Sequence, residues 1–266
     1  MFFSQSISSR TVSVPEPPPA PTLPAHVVST TVDLAHFLES LHPSSTLYLD
    51  LEGKDLSRHG TLTIITILVH PQNTVALIDV LTLGPAAFGT QSPPSTIRPR
   101  KTLKSILEDS SITKYLWDVR NDADALKALY DVGIEGVIDI QLLENATRYG
   151  SKTYLRGLNP CVQRDLKLPD RDLARWVRIK DQGSSCMESD PFSVRPLAPE
   201  TLSYCVGDVE FLPQLRDTYM RRQTCTRARF EKVRAMSAAR VREAHLPCYE
   251  PNGPEKRLGP WGHNEI

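Results

Sequence analysis

Three β-rich apolar stretches follow one another closely in this chain: STLYLDLEG ending at Gly53, TLTIITILVH over 61–70, and TVALIDV over 74–80. The middle stretch is apolar throughout, which places it inside a sheet rather than at its surface. Turn-forming residues fill the gaps Lys54–Gly60 and His70–Asn73, so the three read as an antiparallel meander. A helix over Thr31–Leu41 precedes them.

Beyond the meander the pattern alternates. A surface loop over 84–100 leads to a helix Thr102–Asp109, a strand Lys114–Trp117, a helix Asp122–Val132, a strand Val137–Ile140 and a helix Gln141–Arg148. A meander followed by alternating strands and helices implies an α/β fold with a mixed sheet flanked by helices. Residues 150–198 are less regular, with short helices near Tyr154–Leu166 and Arg171–Ile179 and then a polar, mobile stretch, DQGSSCMESDPF. Pro199 opens a long helix, Glu200 to about Arg222, with a kink expected at Pro213. A basic helix to about Glu243 and a Pro/Gly-rich tail end the sequence. The chain therefore divides into a Ser/Pro-rich, poorly ordered tail over 1–25, one domain over 26–222, and a basic helix with tail over 223–266.

No apolar run reaches the roughly 18 residues a membrane span needs. Five cysteines, Cys161, Cys186, Cys205, Cys225 and Cys248, are odd in number and form no CxxC pair. That argues against a disulfide framework and a structural zinc site, and points to a reducing compartment, cytoplasmic or nuclear. The first fifteen residues hold Arg10 and no acid, a weak likeness to a mitochondrial transit peptide. Formal charge is zero, 31 basic against 31 acidic residues, but it is unevenly spread. Residues 1–147 carry 10 Lys+Arg against 16 Asp+Glu, and residues 148–245 carry 19 against 12. An acidic half beside a basic half suits carboxylate-bound metal and a polyanionic partner, while a long solvated Arg-rich helix explains the basic run equally. Oligomeric state is not legible from this pattern.

Within this frame stand four acids and a tyrosine. Asp50 and Glu52 are two apart on a strand and so project to one face. Asp122 lies where a helix begins, with Asn121 or Asp122 itself as the expected N-cap, and Asp118 and Asp124 are its neighbours. Tyr204 and Asp208 are four apart on a helix and share a face. Each has a plainer reading: a wet edge strand, a helix cap, an i,i+4 hydrogen bond. Brought together, the four carboxylates would repel one another unless divalent cations lay between them.

In their order and contexts these residues resemble the DEDD superfamily of 3′–5′ exonucleases, tyrosine subclass, with the ribonuclease D and Werner-type exonuclease domains. Asp50-Leu51-Glu52 matches the first motif, Asp122 in RNDADAL the second, and Tyr204 with Asp208 in YCVGDVEFLP the third. The segment FSVRPLAPETLSYCVGD is similar to the block that precedes the third motif, with Phe192 where Trp is usual and Cys205 where Ala is usual. The likeness covers roughly 30–220, with 181–191 as a variable insertion, and is nearest to 3′–5′ exonuclease domain-containing proteins, fungal ones among them.

This resemblance implies a ribonuclease H-like fold and a metal-dependent 3′–5′ exonuclease acting on single-stranded RNA or DNA. It implies two Mg²⁺ or Mn²⁺ ions held by Asp50, Glu52, Asp122 and Asp208, with Tyr204 orienting the attacking water. Some members of the subgroup have lost catalytic acids and act as nucleic-acid-binding adaptors, the alternative function for this chain. Arg58 and His59, just after the first motif, are either near the terminal nucleotide or plain turn residues. Arg195 is expected to support the third motif, and the arginines of 216–242 either track a strand's backbone or form a solvated face.

Overall fold

A computed structural model describes residues 23–95, 99–185 and 189–261. Its strands are β1 (Ala25–Val28), β2 (Thr46–Glu52), β3 (Ile64–His70), β4 (Thr74–Asp79), β5 (Lys114–Leu116) and β6 (Val137–Asp139). They form one mixed sheet in the order β1-β4-β3-β2-β5-β6. The expected meander is there: β2 pairs antiparallel with β3 and β3 with β4, while β1, β5 and β6 join in parallel.

Helices cover both faces. They are α1 (Thr31–Ser40), α2 (Val80–Leu83), α3 (Ala86–Gly89), α4 (Leu103–Leu107), α5 (Arg120–Tyr130), α6 (Ile140–Thr147), α7 (Leu158–Asp165), α8 (Asp170–Ser185), α9 (Pro199–Glu210), α10 (Leu212–Met220) and α11 (Arg227–Ala244). Strand alternation divides β2 between two cores. Leu47, Leu49 and Leu51 join Leu34 and Leu38 of α1 and Leu126 of α5. Tyr48 turns the other way, with Ile64 and Leu68, against Val206 and Val209 of α9 and Leu215 of α10. Asp50 and Glu52 share the Tyr48 face by the same alternation, so the face they project from is the one α9 covers.

Several expectations shift. β1 has no counterpart in the sequence reading, because four residues carry no usable periodicity and its partner, β4, comes from elsewhere in the chain. Within the expected loop 84–100, α3 is a helical turn that buries Ala87 and Phe88. The long helix expected over Glu200 to Arg222 is two helices. Pro213 has no N–H to continue the ladder, and the chain breaks at Phe211. Helix α8 runs on to Ser185, so part of the polar stretch read as mobile is helical. The Ser/Pro-rich tail and the transit-like segment lie outside the described residues, apart from the tail's last three.

Helix α11 lies against β6, the sheet's last strand. Its Arg240 Nη1 donates to Asp139 Oδ2 at 2.6 Å, and Asp139 is fully buried. Asp139 N also donates to Ser237 Oγ at 2.9 Å. The basic run is thus partly structural: Arg222 pairs with Asp165, Arg234 with Glu231, and Arg216 donates to the Tyr48 hydroxyl. Cys161, Cys205, Cys225 and Cys248 are free thiols, and Cys186 falls outside the described residues. Among the described residues no helix is long and apolar enough to cross a membrane.

Candidate active site

Asp50, Glu52 and Asp208 converge. One carboxylate oxygen from each lies within 4.8 Å of the others. Strand β2 supplies the first two from one face, and α9 crosses that face carrying the third. All three are partly exposed. The proximity is costly. Burial, then the charges of Asp208, Glu52 and Asp122, push the Asp50 carboxyl well above its usual range. Burial and the Asp208 charge do the same to Glu52. Burial raises Asp208 as well, although Lys180 works against it.

Asp122 stands outside this group of three but is near enough for its charge to act on Asp50 and Glu52. It is not an N-cap. Helix α5 begins at Arg120 after Val119, and no side chain caps it. The turn into α5 is held from β6 instead: Asp139 accepts from the backbone N–H groups of Asp118 and Val119, each at 3.1 Å. Asp122 therefore sits in the first helical turn, where the helix dipole favours an anion. Its two neighbours are already committed. Asp118 accepts from Arg120 at 2.6 Å, and Asp124, with its side chain 1% exposed, accepts from Arg58 at 2.7 Å. Among the described residues no ion pair closes on Asp122; burial, then the charges of Asp118 and Asp139, push its carboxyl up to about 8.

Tyr204 lies one turn before Asp208. Burial and the charges of Asp208, Glu52 and Asp50 raise its hydroxyl far above the ordinary range. Two residues that the sequence reading passed over complete this side. Lys180 of α8 donates to Asp208 Oδ2 at 2.5 Å, and its Nζ lies 3.3 Å from the centre of the Tyr204 ring. Gly183, one turn further on, lets the ring approach the α8 backbone: a Cβ there would fall 1.9 Å from Tyr204 Cδ2. The register of α8 on α9 is set by Trp176, fully buried, whose Nε1 donates to Gly207 O at 3.0 Å. The spacing Trp176–Lys180–Gly183 was the available signal, but only a helix continuing past Ile179 reveals it.

Other expectations resolve as scaffold. Arg58 is a clamp: besides Asp124 it donates to the carbonyls of Ala244, Leu246 and Pro247. Arg195 makes a two-pronged pair with Asp79, both bonds at 2.7 Å, tying the segment before α9 to the end of β4. His59 is exposed. A wider groove of about 910 Å³ lies elsewhere, between α11 and the β5–β6 edge, and holds none of the four acids. Charge convergence rather than size marks the site.

The donor set is oxygen-only and anionic, as hard divalent cations prefer. Uncompensated repulsion among the carboxylates is what such a cation would relieve.

Residues 25–223 match the model of a family described as 3′–5′ exonuclease. Among solved structures the chain is similar to Trypanosoma brucei RNase D. For its complex with RNA U12, identity is 23%, TM-score 0.68, and coverage 85% of this chain and 72% of that one. For its GMP complex the values are 24%, 0.67, 84% and 65%. The catalytic core of RRP6 from the same organism aligns at 19% identity and TM-score 0.61, over 83% of this chain and 52% of that one. Brucella melitensis NrnC aligns at 19% and 0.52, over 76% and 84%. The chain thus spans 65% of the length of the GMP-bound RNase D chain. At these identities the likeness is one of fold, and it agrees with the expected ribonuclease H-like α/β architecture. No curated protein sequence matches the chain.

Proposed function

The chain belongs to the 3′–5′ exonuclease family, and we propose that it is a metal-dependent hydrolase removing nucleotides from the 3′ end of single-stranded RNA or DNA. The observation that carries this reading is the convergence of Asp50, Glu52 and Asp208 from two separate elements onto one point. Asp50, Glu52 and Asp208 would hold one Mg²⁺ or Mn²⁺, and Asp50 and Asp122 would face a second. Bound there, two ions lower the pKa of an attacking water and stabilise charge on the leaving 3′ oxygen.

Tyr204, one turn before Asp208 on α9, would orient the attacking water through its hydroxyl. Lys180 fixes Asp208 from one side and packs on the Tyr204 ring, holding ligand and hydroxyl in a common geometry. The bonds between Asp139 and the turn at Asp118–Val119 fix where Asp122 points. The substrate class rests on the neighbours: RNase D was crystallised with RNA U12, and a structure of NrnC is bound to pGG.

A 3′-labelled oligonucleotide, presented as matched RNA and DNA strands with Mg²⁺ or Mn²⁺, tests this. Labelled 5′-mononucleotide is the expected product, and Asp50→Ala should stop its release. Binding by the wild type without release would replace the enzyme with an adaptor. Release that survives Asp50→Ala would overturn the site.

A further inference from the structure

Beyond the family-matched region, residues 245–261 form a strap that runs back across the domain, passes the second motif and continues to the segment at Thr153–Leu155. Its anchors are specific. Arg58, in the loop after β2, donates to Ala244 O, Leu246 O and Pro247 O at 2.8–2.9 Å. Tyr249, buried, donates its hydroxyl to Asn121 Oδ1 at 2.8 Å. Arg120 Nη2 donates to Lys256 O at 2.8 Å. Further on, Gly259 N donates to Thr153 O at 2.8 Å, and Trp261 is 4% exposed. The strap is thus tied to the loop that follows Asp50 and Glu52 and to the helical turn that carries Asp122.

Lys256 is the charge this arrangement delivers. Its Nζ donates to Asn121 Oδ1, the residue beside Asp122, and to Pro251 O at 2.7 Å. An ammonium has three protons, and these contacts use two. The side chain is half-buried, so its head is held in place rather than sampling solvent. A site built from four carboxylates repels a polyanion, and a fixed cation at its border supplies complementary charge. We propose that the strap forms part of the substrate-binding surface and that Lys256 contacts a backbone phosphate of the bound single strand beside Asp122. This rests on the nuclease reading and adds to it a substrate contact from outside the matched family region.

The full-length protein is titrated into a fluorescent single-stranded oligonucleotide across a salt series, with Ca²⁺ replacing Mg²⁺ to hold turnover back. Lys256→Gln keeps a donor for Asn121 and removes the charge; Lys256→Arg restores the charge. Arg257→Met makes the same charge change on the adjacent, exposed residue. Lys256→Gln should weaken binding about tenfold, as loss of a charge-assisted hydrogen bond does. It should also flatten the log–log salt dependence by about 0.7, the share of one phosphate on a single strand. Lys256→Arg should recover both, and Arg257→Met should change neither.

An unchanged slope in Lys256→Gln overturns the proposal, whether affinity is kept or falls together with the melting temperature. Equal effects from Arg257→Met overturn it too, since the charge would then act only at long range. If the wild type degrades strands while Lys256→Gln matches it in affinity and slope, this proposal fails and the nuclease reading stands. If the wild type neither binds nor degrades strands, both fall.

Discussion

Asp50 and Glu52 are expensive where they stand, buried and close to other acids. Their carboxyls are raised in the folded chain above ordinary values of 3.8 and 4.5, by burial first and by neighbouring acids second. The folded state therefore holds protons that the unfolded state has released. The associated stability is full below about pH 4 and is lost as pH rises through the folded values. In a chelator the protein should melt at a lower temperature near pH 8 than near pH 5. Asp50→Asn should shrink that difference and raise the melting temperature at the higher pH, while costing more activity than the ~10–100-fold typical of outer-shell partners. Saturating Mg²⁺ or Mn²⁺ should stabilise the wild type more than Asp50→Asn; calorimetry reads both.

Gly183 makes a second residue-scale case, in which two effects oppose. Glycine to alanine inside a helix ordinarily gains about 1 kcal/mol. Here the new Cβ would meet the Tyr204 ring at 1.9 Å. Gly183→Ala should therefore lower both stability and kcat, and a stabilised, fully active variant would show that the ring is free to move. The spacings two and four made Asp50 with Glu52 and Tyr204 with Asp208 legible in sequence, because strand and helix periodicity are local. Spacing alone did not separate Asp122 from Asp118 and Asp124; the family resemblance singled it out. In the structure the two rivals are paired with arginines, Asp118 with Arg120 close by and Asp124 with Arg58 from another loop.

Elements differ in how far their sequence commits them. The meander is committed, because its strands are apolar, adjacent and divided by turns. Helix α11 is not. Its arginines look alike in sequence, yet Arg240 is 4% exposed and paired with a fully buried Asp139, while Arg234 and Arg242 are exposed. Arg240→Met leaves that carboxylate uncompensated and should cost about 3–5 kcal/mol. Urea unfolding measures it, and adding Asp139→Asn should recover part of the loss. An unfolding midpoint unchanged by Arg240→Met would mean that the backbone N–H groups around Asp139 suffice. Helices α8 and α9 act as a pair: Trp176 locks their register, and only that register brings Lys180 to Asp208.

Across the whole molecule, the site is assembled from chain segments that share no local signal. Arg58 joins the β2 loop, α5 and the strap through Asp124 and three backbone carbonyls. Arg58→Ala should loosen the strap before the sheet. Hydrogen exchange over 245–261 should quicken while the β2–β4 core stays protected, and nuclease activity should fall with it. Uniform loss of protection would instead mark Arg58 as a global anchor.

The amino-acid sequence determined the α/β class and the meander, and periodicities of two and four placed Asp50 with Glu52 and Tyr204 with Asp208 on common faces; their reading as motif residues came from the family resemblance. Tertiary structure decided the rest: β1 at the far edge, the extent of α8 with Lys180 and Gly183, the partners that take up Asp118 and Asp124, and the strap beside Asp122. Apart from the Asp118–Arg120 pair, two positions apart, those features depend on contacts between residues tens to more than a hundred positions apart. Packing, not local propensity, sets which groups meet there.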